Sequence, residues 1–185
     1  MSFWISNTPE DIFSENIIRN FTSKYPAFNF RIMKSRVLYL PSELEEIILK
    51  CEHCNVAMID TKGKPYLVPM NFGYQDKVLF LHSGPEGKKL EILHQHPEVC
   101  VSFSADHVLR YQDKSVGCSY SMKYRSVLLH GKVTFITDFK EKEDALHIIM
   151  KHYKSEGYRF SEPAVKNVSV FKVVATHTEG RVYGY

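Results

Sequence analysis

The chain has 185 residues, 44% of them hydrophobic and 24% charged, which is the composition of a globular protein with enough material for one sizeable core. Its formal net charge of +3 is spread over interspersed acidic and basic residues, which excludes the long basic run of a nucleic-acid groove. The apolar runs are too short to span a membrane and the first residues lack the regions of an export signal, so we expect a soluble cytoplasmic protein without nucleic-acid or membrane partners.

The first 35 residues are rich in aromatic and polar side chains but show no clear helical or strand periodicity. We interpret residues 1–35 as an arm with a short helix near Asp11 to Phe21, and residues 36–185 as a single folded domain. Ser42 and Glu45 then have the spacing of a capping box, and apolar side chains follow at helical spacing. This pattern predicts a helix from about Ser42 to Cys54.

Three short runs of apolar, β-branched and aromatic residues follow, joined by short turns. The runs predict three strands, Val56–Asp60, Tyr66–Tyr74 and Val78–His82. Pro69 has no backbone N–H group for a strand ladder, so the second strand must lie at an edge or contain a bulge. In either case its backbone groups are available to a ligand.

The rest of the chain alternates less regularly between helix and strand. One helix is predicted to begin at Pro85, and Asp138 with Glu141 caps a later helix. Further strands are predicted at Val99–Phe103, once or twice within Ser119–Thr137, and at Val168–Thr176. This order lacks the regular alternation of a doubly wound fold, so we predict a mainly β protein with helical inserts, an α+β protein built on an antiparallel barrel.

The junction between the third strand and the helix at Pro85 is the first candidate for a binding site. A helix start presents unpaired N–H groups and the positive end of the helix dipole. A hydroxyl, an imidazole and two ammonium groups surround this start, from Ser83, His82, Lys88 and Lys89. The constellation predicts a phosphate site, although from spacing alone a solvated turn whose lysines maintain solubility is an equal alternative.

The strand interrupted by Pro69 is the second candidate. A flavin ring needs a flat apolar wall and a few N–H or amide contacts. Both could come from the consecutive residues Val68, Pro69, Met70 and Asn71. Taken alone, the segment is better interpreted as a barrel strand with a bulge.

Cys51 and Cys54 form a lone Cys-x-x-Cys pair at the predicted end of the first helix. No second pair follows to complete the four ligands of a structural zinc site. We interpret the two cysteines as packing residues and predict no metal site, with a metal protein built on them, or thiol redox chemistry, as the alternative.

Three segments carry motifs of a known family: Gly63–Tyr74, Leu79–Leu90 and Tyr124–Gly131. Together they resemble the pyridoxamine 5'-phosphate oxidase-like split barrels, and within these the nitroimidazole-resistance (Nim-type) proteins most closely. The resemblance extends from about Arg36 to Tyr153 and is most specific in the middle segment. It implies a six- to seven-stranded antiparallel split β-barrel of the FMN-binding type, and a homodimer with two FMN sites at the subunit interface.

The resemblance also assigns roles to residues. The phosphate of FMN, or of FAD in its place, would be held by Ser83, Lys88 and Lys89. The flavin ring would be lined by Val68, Pro69, Met70 and Asn71. Arg125 and Ser126 would reach the flavin from the partner subunit, and His82 would face the flavin or the substrate.

The activity implied is that of a flavin-dependent oxidoreductase. Gly87, Lys88 and Lys89 stand where the pyridoxamine phosphate oxidases have Ser-Arg-Lys, so oxidation of vitamin B6 is not expected. We predict electron transfer from NAD(P)H to a small-molecule acceptor such as a 5-nitroimidazole antibiotic. His82 is the candidate catalytic proton donor, because nitro reduction consumes protons and imidazole titrates near neutral pH. A purely binding role, in which His82 only hydrogen-bonds the phosphate or its own strand, is an equal interpretation. The alternative is a flavin- or haem-binding carrier or sensor without turnover.

Overall fold

The computed structural model describes residues 35–154 and 156–185. Within them the chain forms one antiparallel sheet of eight strands, four α-helices and a 3-10 turn at Gly117–Ser119. The strands are β1 (Arg36–Leu38), β2 (Cys54–Ile59), β3 (Pro65–Met70), β4 (Phe72–Gln75), β5 (Val78–Ser83), β6 (Glu98–Arg110), β7 (Ser121–Ile136) and β8 (Ser169–Tyr183). The helices are α1 (Pro41–Lys50), α2 (Lys88–Gln95), α3 (Phe139–Tyr153) and α4 (Glu162–Lys166). None of these four helices has the length and apolar character needed to cross a membrane.

The sheet closes on itself at a single residue. Its strand order is β3-β2-β6-β7-β8-β5-β4, with β1 paired to β8. β3 and β4 therefore lie at opposite ends of the order, although Asn71 alone separates them in sequence. Because consecutive Cα atoms are only about 3.8 Å apart, the two ends must meet there. The sheet curls into a barrel, which confirms the predicted split-barrel architecture.

Alternating side chains fill the interior of the barrel. Along β5, Leu79 and Leu81 are fully buried inside, whereas Phe80 faces the opposite side of the sheet. At the centre Phe72 and Phe103 meet edge to face, with ring centroids 5.1 Å apart. Burial of each such side chain contributes about 1.5–3 kcal/mol, so this interior is the main source of stability for the strands that carry the site.

α3 covers the outer face of the sheet beside β5 and β8. As the sequence predicted, Asp138 caps this helix, and its Oδ1 accepts a hydrogen bond from the Glu141 N–H group at 2.9 Å. Ala145, Leu146 and Ile149 then pack into a second core together with Phe80. The helix thus supports β5 from the side opposite the barrel interior.

The end of α3 is fixed to the start of β4. The Tyr153 hydroxyl accepts a hydrogen bond from the Phe72 N–H group and donates one to the Glu52 carbonyl, both at 2.9 Å. Next to it, His152 Nε2 lies 2.7 Å from the Cys51 carbonyl oxygen. These bonds hold β4, and with it the β3–β4 junction, in a fixed position on the helix.

The strand count differs slightly from the prediction. The sequence predicted six to seven strands, and the described residues contain eight because β1 has only three residues and the predicted strand Tyr66–Tyr74 is two strands. The interruption falls at Asn71 rather than at Pro69. Pro69 itself lies in β3, at the end of the sheet order, as its missing N–H group required.

The first helix corrects a second prediction. α1 begins at Pro41 after an N-cap at Leu40 that makes no side-chain hydrogen bond, and it ends at Lys50. Ser42 therefore lies within the first turn and is not a cap, because Pro41 occupies the first position, where its missing N–H group is no loss. Cys54 belongs to β2 instead. Apart from Ser35, the predicted arm over residues 1–35 lies outside the described residues.

Candidate functional site

The first candidate site lies at the end of β5, where His82 and Ser83 are the last strand residues. His82 pairs with Val170 of β8, and its side chain is half-buried. Its Nδ1 atom is buried and has no hydrogen-bond partner among the described residues. Because an unsatisfied buried polar group costs about 1–3 kcal/mol, this nitrogen is suited to a ligand that supplies the missing partner.

The electrostatics of the site favour an anion. Burial lowers the pKa of His82, and the positive charge of Lys89 lowers it further. Burial likewise lowers the pKa of Lys89. An anion beside these side chains would oppose both shifts, because it favours the charged form of each. A phosphate group is such an anion.

α2 begins at Lys88, so the prediction of a helix start at Pro85 is wrong by three residues. Gly87, the N-cap, has a φ of 126°, which only glycine adopts readily and which turns the chain into the helix. Gly87 offers no side chain to the first N–H groups of α2, so a ligand can take that place. Pro85 lies in the preceding loop, in which Ser83 Oγ donates to the Gly84 carbonyl at 2.9 Å.

The two lysines of the first turn differ in their surroundings. Lys88 Nζ lies 4.5 Å from the centroid of the Tyr66 ring and 4.0 Å from Oδ2 of Asp60. Lys89 is half-buried, and burial alone lowers its pKa, with no compensating carboxylate in the described part of the chain. Of the two lysines, Lys89 is therefore the one whose charged form a bound phosphate would stabilise more.

The end of β3 lies beside His82, at the end of β5. Phe72 pairs with Leu81, which puts the preceding residue, Asn71, level with His82. Pro69 and Asn71 are exposed, and Val68 is half-buried. The side chain of Met70, in contrast, is buried in the barrel core, so a contact from this residue to a flavin ring falls to its backbone. The predicted ring-lining and phosphate-binding segments are thus neighbours.

Arg125 and Ser126 lie elsewhere on the sheet. Arg125 pairs with Val182 of β8, whereas His82 pairs with Val170 of the same strand. These partners are twelve positions apart, which is roughly 40 Å of strand length, and in the described part of the chain the Arg125 side chain contacts Asp106 and Tyr185 rather than the His82 segment. One protomer therefore does not bring Arg125 and Ser126 to His82, and a site that contains both groups requires a second copy of the chain.

Two carboxylates that the sequence did not indicate contact the predicted cations. Asp60 lies beside Lys88, and Asp106 accepts a hydrogen bond from Nη1 of Arg125. That bond is the main reason why the pKa of Asp106 is below its ordinary value. Both pairs join residues far apart in sequence. The sequence carries one local signal for Asp106. An aspartate interrupts the alternation of inward and outward side chains in β6, and aspartate is a residue type that tolerates a positive φ.

The two cysteines of the Cys-x-x-Cys pair have protein partners for their thiols. Cys51 Sγ donates to the Ile47 carbonyl at 3.3 Å, and Cys54 Sγ donates to the Met70 carbonyl at 3.5 Å. Burial raises the pKa of the Cys54 thiol to about 12 and also raises that of Cys51. Within residues 35–154 and 156–185, no group of three histidine, cysteine or acidic side chains is arranged to hold a metal ion.

Comparison with protein-family models gives a match to pyridoxamine 5'-phosphate oxidase over residues 41–182. A solved structure from Bacteroides thetaiotaomicron, described as a candidate 5-nitroimidazole antibiotic resistance protein, is 47% identical over 82% of this chain and 89% of its own, with a TM-score of 0.74. The FAD- and haem-binding protein of Mycobacterium smegmatis is 17% identical over 80% of this chain and 74% of its own, with a TM-score of 0.69, which shows the fold alone. Comparison with curated protein sequences gives no match.

Proposed function

The chain belongs to the pyridoxamine 5'-phosphate oxidase family of flavin-binding split barrels, and from that premise we propose that it is an FMN-dependent oxidoreductase that reduces nitroaromatic compounds such as 5-nitroimidazole antibiotics. One observation carries the proposal: among the described residues, the buried Nδ1 of His82 has no partner, and it lies close in the chain to the uncapped start of α2, where Lys89 has no counter-charge. The 47% identical protein of Bacteroides thetaiotaomicron supports the choice of acceptor. The biological result would be antibiotic resistance.

The residues present fit the phosphate of FMN. Ser83 supplies a hydroxyl that would turn from the Gly84 carbonyl to the phosphate, Lys88 and Lys89 supply positive charge, and the first turn of α2 supplies N–H groups. The flavin ring would lie along the β3–β4 junction, where Pro69 and Asn71 are exposed. When bound, FMN supplies the capacity to accept and release a hydride or electrons. FAD would need additional room for its adenylate beyond the same phosphate site.

We further propose that the enzyme is a homodimer with shared sites. Arg125 and Ser126 are too far from His82 to join it within one protomer. A two-fold axis that brings the Arg125 end of one barrel to the His82 end of its partner would create two equivalent composite sites. This arrangement supports the roles that the family resemblance implies for Arg125 and Ser126.

His82 is the proposed source of a proton. Reduction of a nitro group to a nitroso group takes up two electrons and two protons and releases water. A hydride from NAD(P)H accounts for both electrons and one of the protons, which leaves one proton to be supplied. The lowered pKa of His82 keeps the imidazole neutral in the absence of ligand. A bound phosphate would raise that pKa and so favour the protonated, donating form.

We place the activity in the cytoplasm. All four cysteines, Cys51, Cys54, Cys100 and Cys118, are free thiols. Free cysteines are typical of a reducing compartment, whereas exported proteins usually pair them.

The proposal is tested first by an absorbance spectrum of the purified full chain, with mass identification of the released cofactor. We expect a yellow protein that releases FMN, loses its flavin absorbance with NADH or NADPH under anaerobic conditions, and regains it when a 5-nitroimidazole is added. A yellow protein inert to both nicotinamides would instead be a binding module. A Soret band would indicate haem, and release of FAD would correct the cofactor.

A further inference from the structure

Arg125 is held on two sides within its own protomer. Its Nη1 donates a hydrogen bond to the Asp106 carboxylate, and its Cζ lies 4.0 Å from the centroid of the Tyr185 ring. The Tyr185 hydroxyl donates in turn to the main-chain carbonyl of Asp106. The three residues therefore form a closed arrangement in which Tyr185 contacts both members of the ion pair.

The backbone at Asp106 accounts for this geometry. Asp106 has a φ of 56°, and the pairing of β6 with β7 shifts register between Ala105 and Val108. Positive φ costs a residue with a side chain roughly 1–2 kcal/mol. Bulges of this kind re-aim a side chain and are frequent next to active sites. Because Ala105 is paired with Arg125, the bulge presents the next side chain, that of Asp106, to the guanidinium group.

Arg125 belongs to a network of ion pairs. Asp106 Oδ2 also lies 3.6 Å from Lys50 Nζ, which is itself 2.8 Å from Glu46 Oε1. Two cations and two carboxylates thus form one network, and Asp106 stays ionised. A guanidinium group has five N–H donors in a rigid plane, and the bond from Nη1 to Asp106 leaves donors for a second acceptor.

We propose that Asp106 and Tyr185 are positioning residues, which hold the Arg125 guanidinium in the orientation that binds the flavin of the partner subunit. The inference rests on the proposed function, because Arg125 meets a flavin only in the proposed dimer. It adds two residues that the family resemblance did not assign. Asp106 fixes the direction of the guanidinium plane, and the Tyr185 ring supports one face of it.

The test is a double-mutant cycle on the full-length protein, with the dissociation constant of FMN measured by fluorescence titration. We expect Arg125→Gln to weaken binding about tenfold, the loss of one charge-assisted hydrogen bond, and Asp106→Asn to weaken it several-fold. The double variant should bind no more weakly than Arg125→Gln alone, because Asp106 acts through Arg125. Asp144→Asn is the matched control, since Asp144 is an exposed carboxylate paired with Lys140 at 3.0 Å on α3.

The direction in which Asp106→Asn changes FMN binding distinguishes a positioning role from a direct electrostatic effect. Removal of a negative charge near an anion site strengthens anion binding unless the charge has another role. Tighter FMN binding by Asp106→Asn, or an additive loss in the double variant, would overturn the inference. The reduction potential of bound flavin is a second readout, and we expect Asp106→Asn and Arg125→Gln to lower it alike. Arg125→Gln removes the positive charge beside the reduced flavin, and Asp106→Asn lets the Arg125 guanidinium turn away from it.

Tyr185 is tested with two substitutions. Tyr185→Phe keeps the ring under Arg125 but removes the hydroxyl, and Tyr185→Leu removes both. We expect FMN binding to weaken in the order Tyr185→Phe, then Tyr185→Leu, and neither change to add to Arg125→Gln. Equal FMN binding by the wild type, Tyr185→Phe and Tyr185→Leu would exclude Tyr185 as a positioning residue. If the wild-type chain binds no FMN, the proposed function fails, whereas wild-type binding that depends on Arg125 but not on Asp106 or Tyr185 removes only this inference.

Discussion

Lys88 and Lys89 are adjacent in the first turn of α2, yet the structure predicts unequal contributions to phosphate binding. Asp60 and the Tyr66 ring hold the Lys88 ammonium in place, whereas Lys89 is half-buried and has no counter-charge within residues 35–154 and 156–185. We expect Lys89→Ala to raise the dissociation constant of FMN about tenfold and Lys88→Ala only about two- to threefold. Lys151→Ala, at an exposed position in the last turn of α3, is the control. Equal losses from both lysines would contradict this assignment.

Burial of His82 makes the stability of the cofactor-free protein depend on pH. The folded-state pKa of His82 is lowered, so the folded protein resists protonation of this residue while the unfolded chain does not. The neutral His82 contributes to the free energy of unfolding. This contribution is fully present above the pKa of His82 in the unfolded chain and is lost as the pH falls through its lower pKa in the folded protein. Melting temperatures of the cofactor-free wild type should therefore fall more steeply from about pH 7 to pH 5 than those of His82→Gln.

Two comparisons check that prediction. His53→Gln, a change at an exposed histidine, should leave the pH dependence as it is in the wild type. Saturation with FMN should reduce the difference between wild type and His82→Gln, because the phosphate favours the charged imidazole. If the melting temperatures of cofactor-free wild type and His82→Gln change in parallel with pH, burial of His82 has no effect on the pH dependence of stability.

Among the elements, the contact between β4 and α3 sets the position of the β3–β4 junction. A Cβ atom added at Gly73 would lie 2.7 Å from backbone atoms of Ile148 and Ile149, so the helix would have to move. We expect Gly73→Ala to lower the free energy of unfolding by about 1–3 kcal/mol in urea titrations, the usual cost of overpacking. Gly117→Ala is the control, because nothing lies within 4 Å of a Cβ at that position. Loss of FMN affinity in Gly73→Ala would show that the helix also positions the site.

The elements that the sequence predicted well are those defined by local patterns. The cap of α3 at Asp138 and the early hairpin strands follow from spacing and turn residues within a few positions. The start of α2 was missed because Pro85 satisfies the rules for a first turn, and only the φ of Gly87 shows that the helix begins later. The pairing of Asp106 with Arg125 joins residues nineteen positions apart through a bulge, which no local pattern reports.

At the scale of the whole molecule, the sheet separates the site residues into two groups. Closure at Asn71 gathers the β3–β4 junction, His82 and the start of α2 at one place, whereas Arg125 pairs twelve positions further along β8 than His82 does. The resemblance to the split-barrel family implied both groups, and it assigned Arg125 and Ser126 to the partner subunit's side of the site. Their separation is what makes the dimer a testable requirement of the proposed site rather than an accessory feature.

A complementation experiment tests that requirement directly. In a mixed dimer of Lys89→Ala and Arg125→Gln subunits, one proposed composite site would carry both defects and the other neither, because each proposed site takes Lys89 from one subunit and Arg125 from the other. Random exchange of equal amounts of the two variants should therefore restore about a quarter of the tight FMN sites, since half of the dimers are mixed and each has one intact site. Fluorescence titration before and after subunit exchange measures this fraction, with each variant mixed with itself as control. No recovery after verified exchange would mean that Lys89 and Arg125 do not serve one site across the interface.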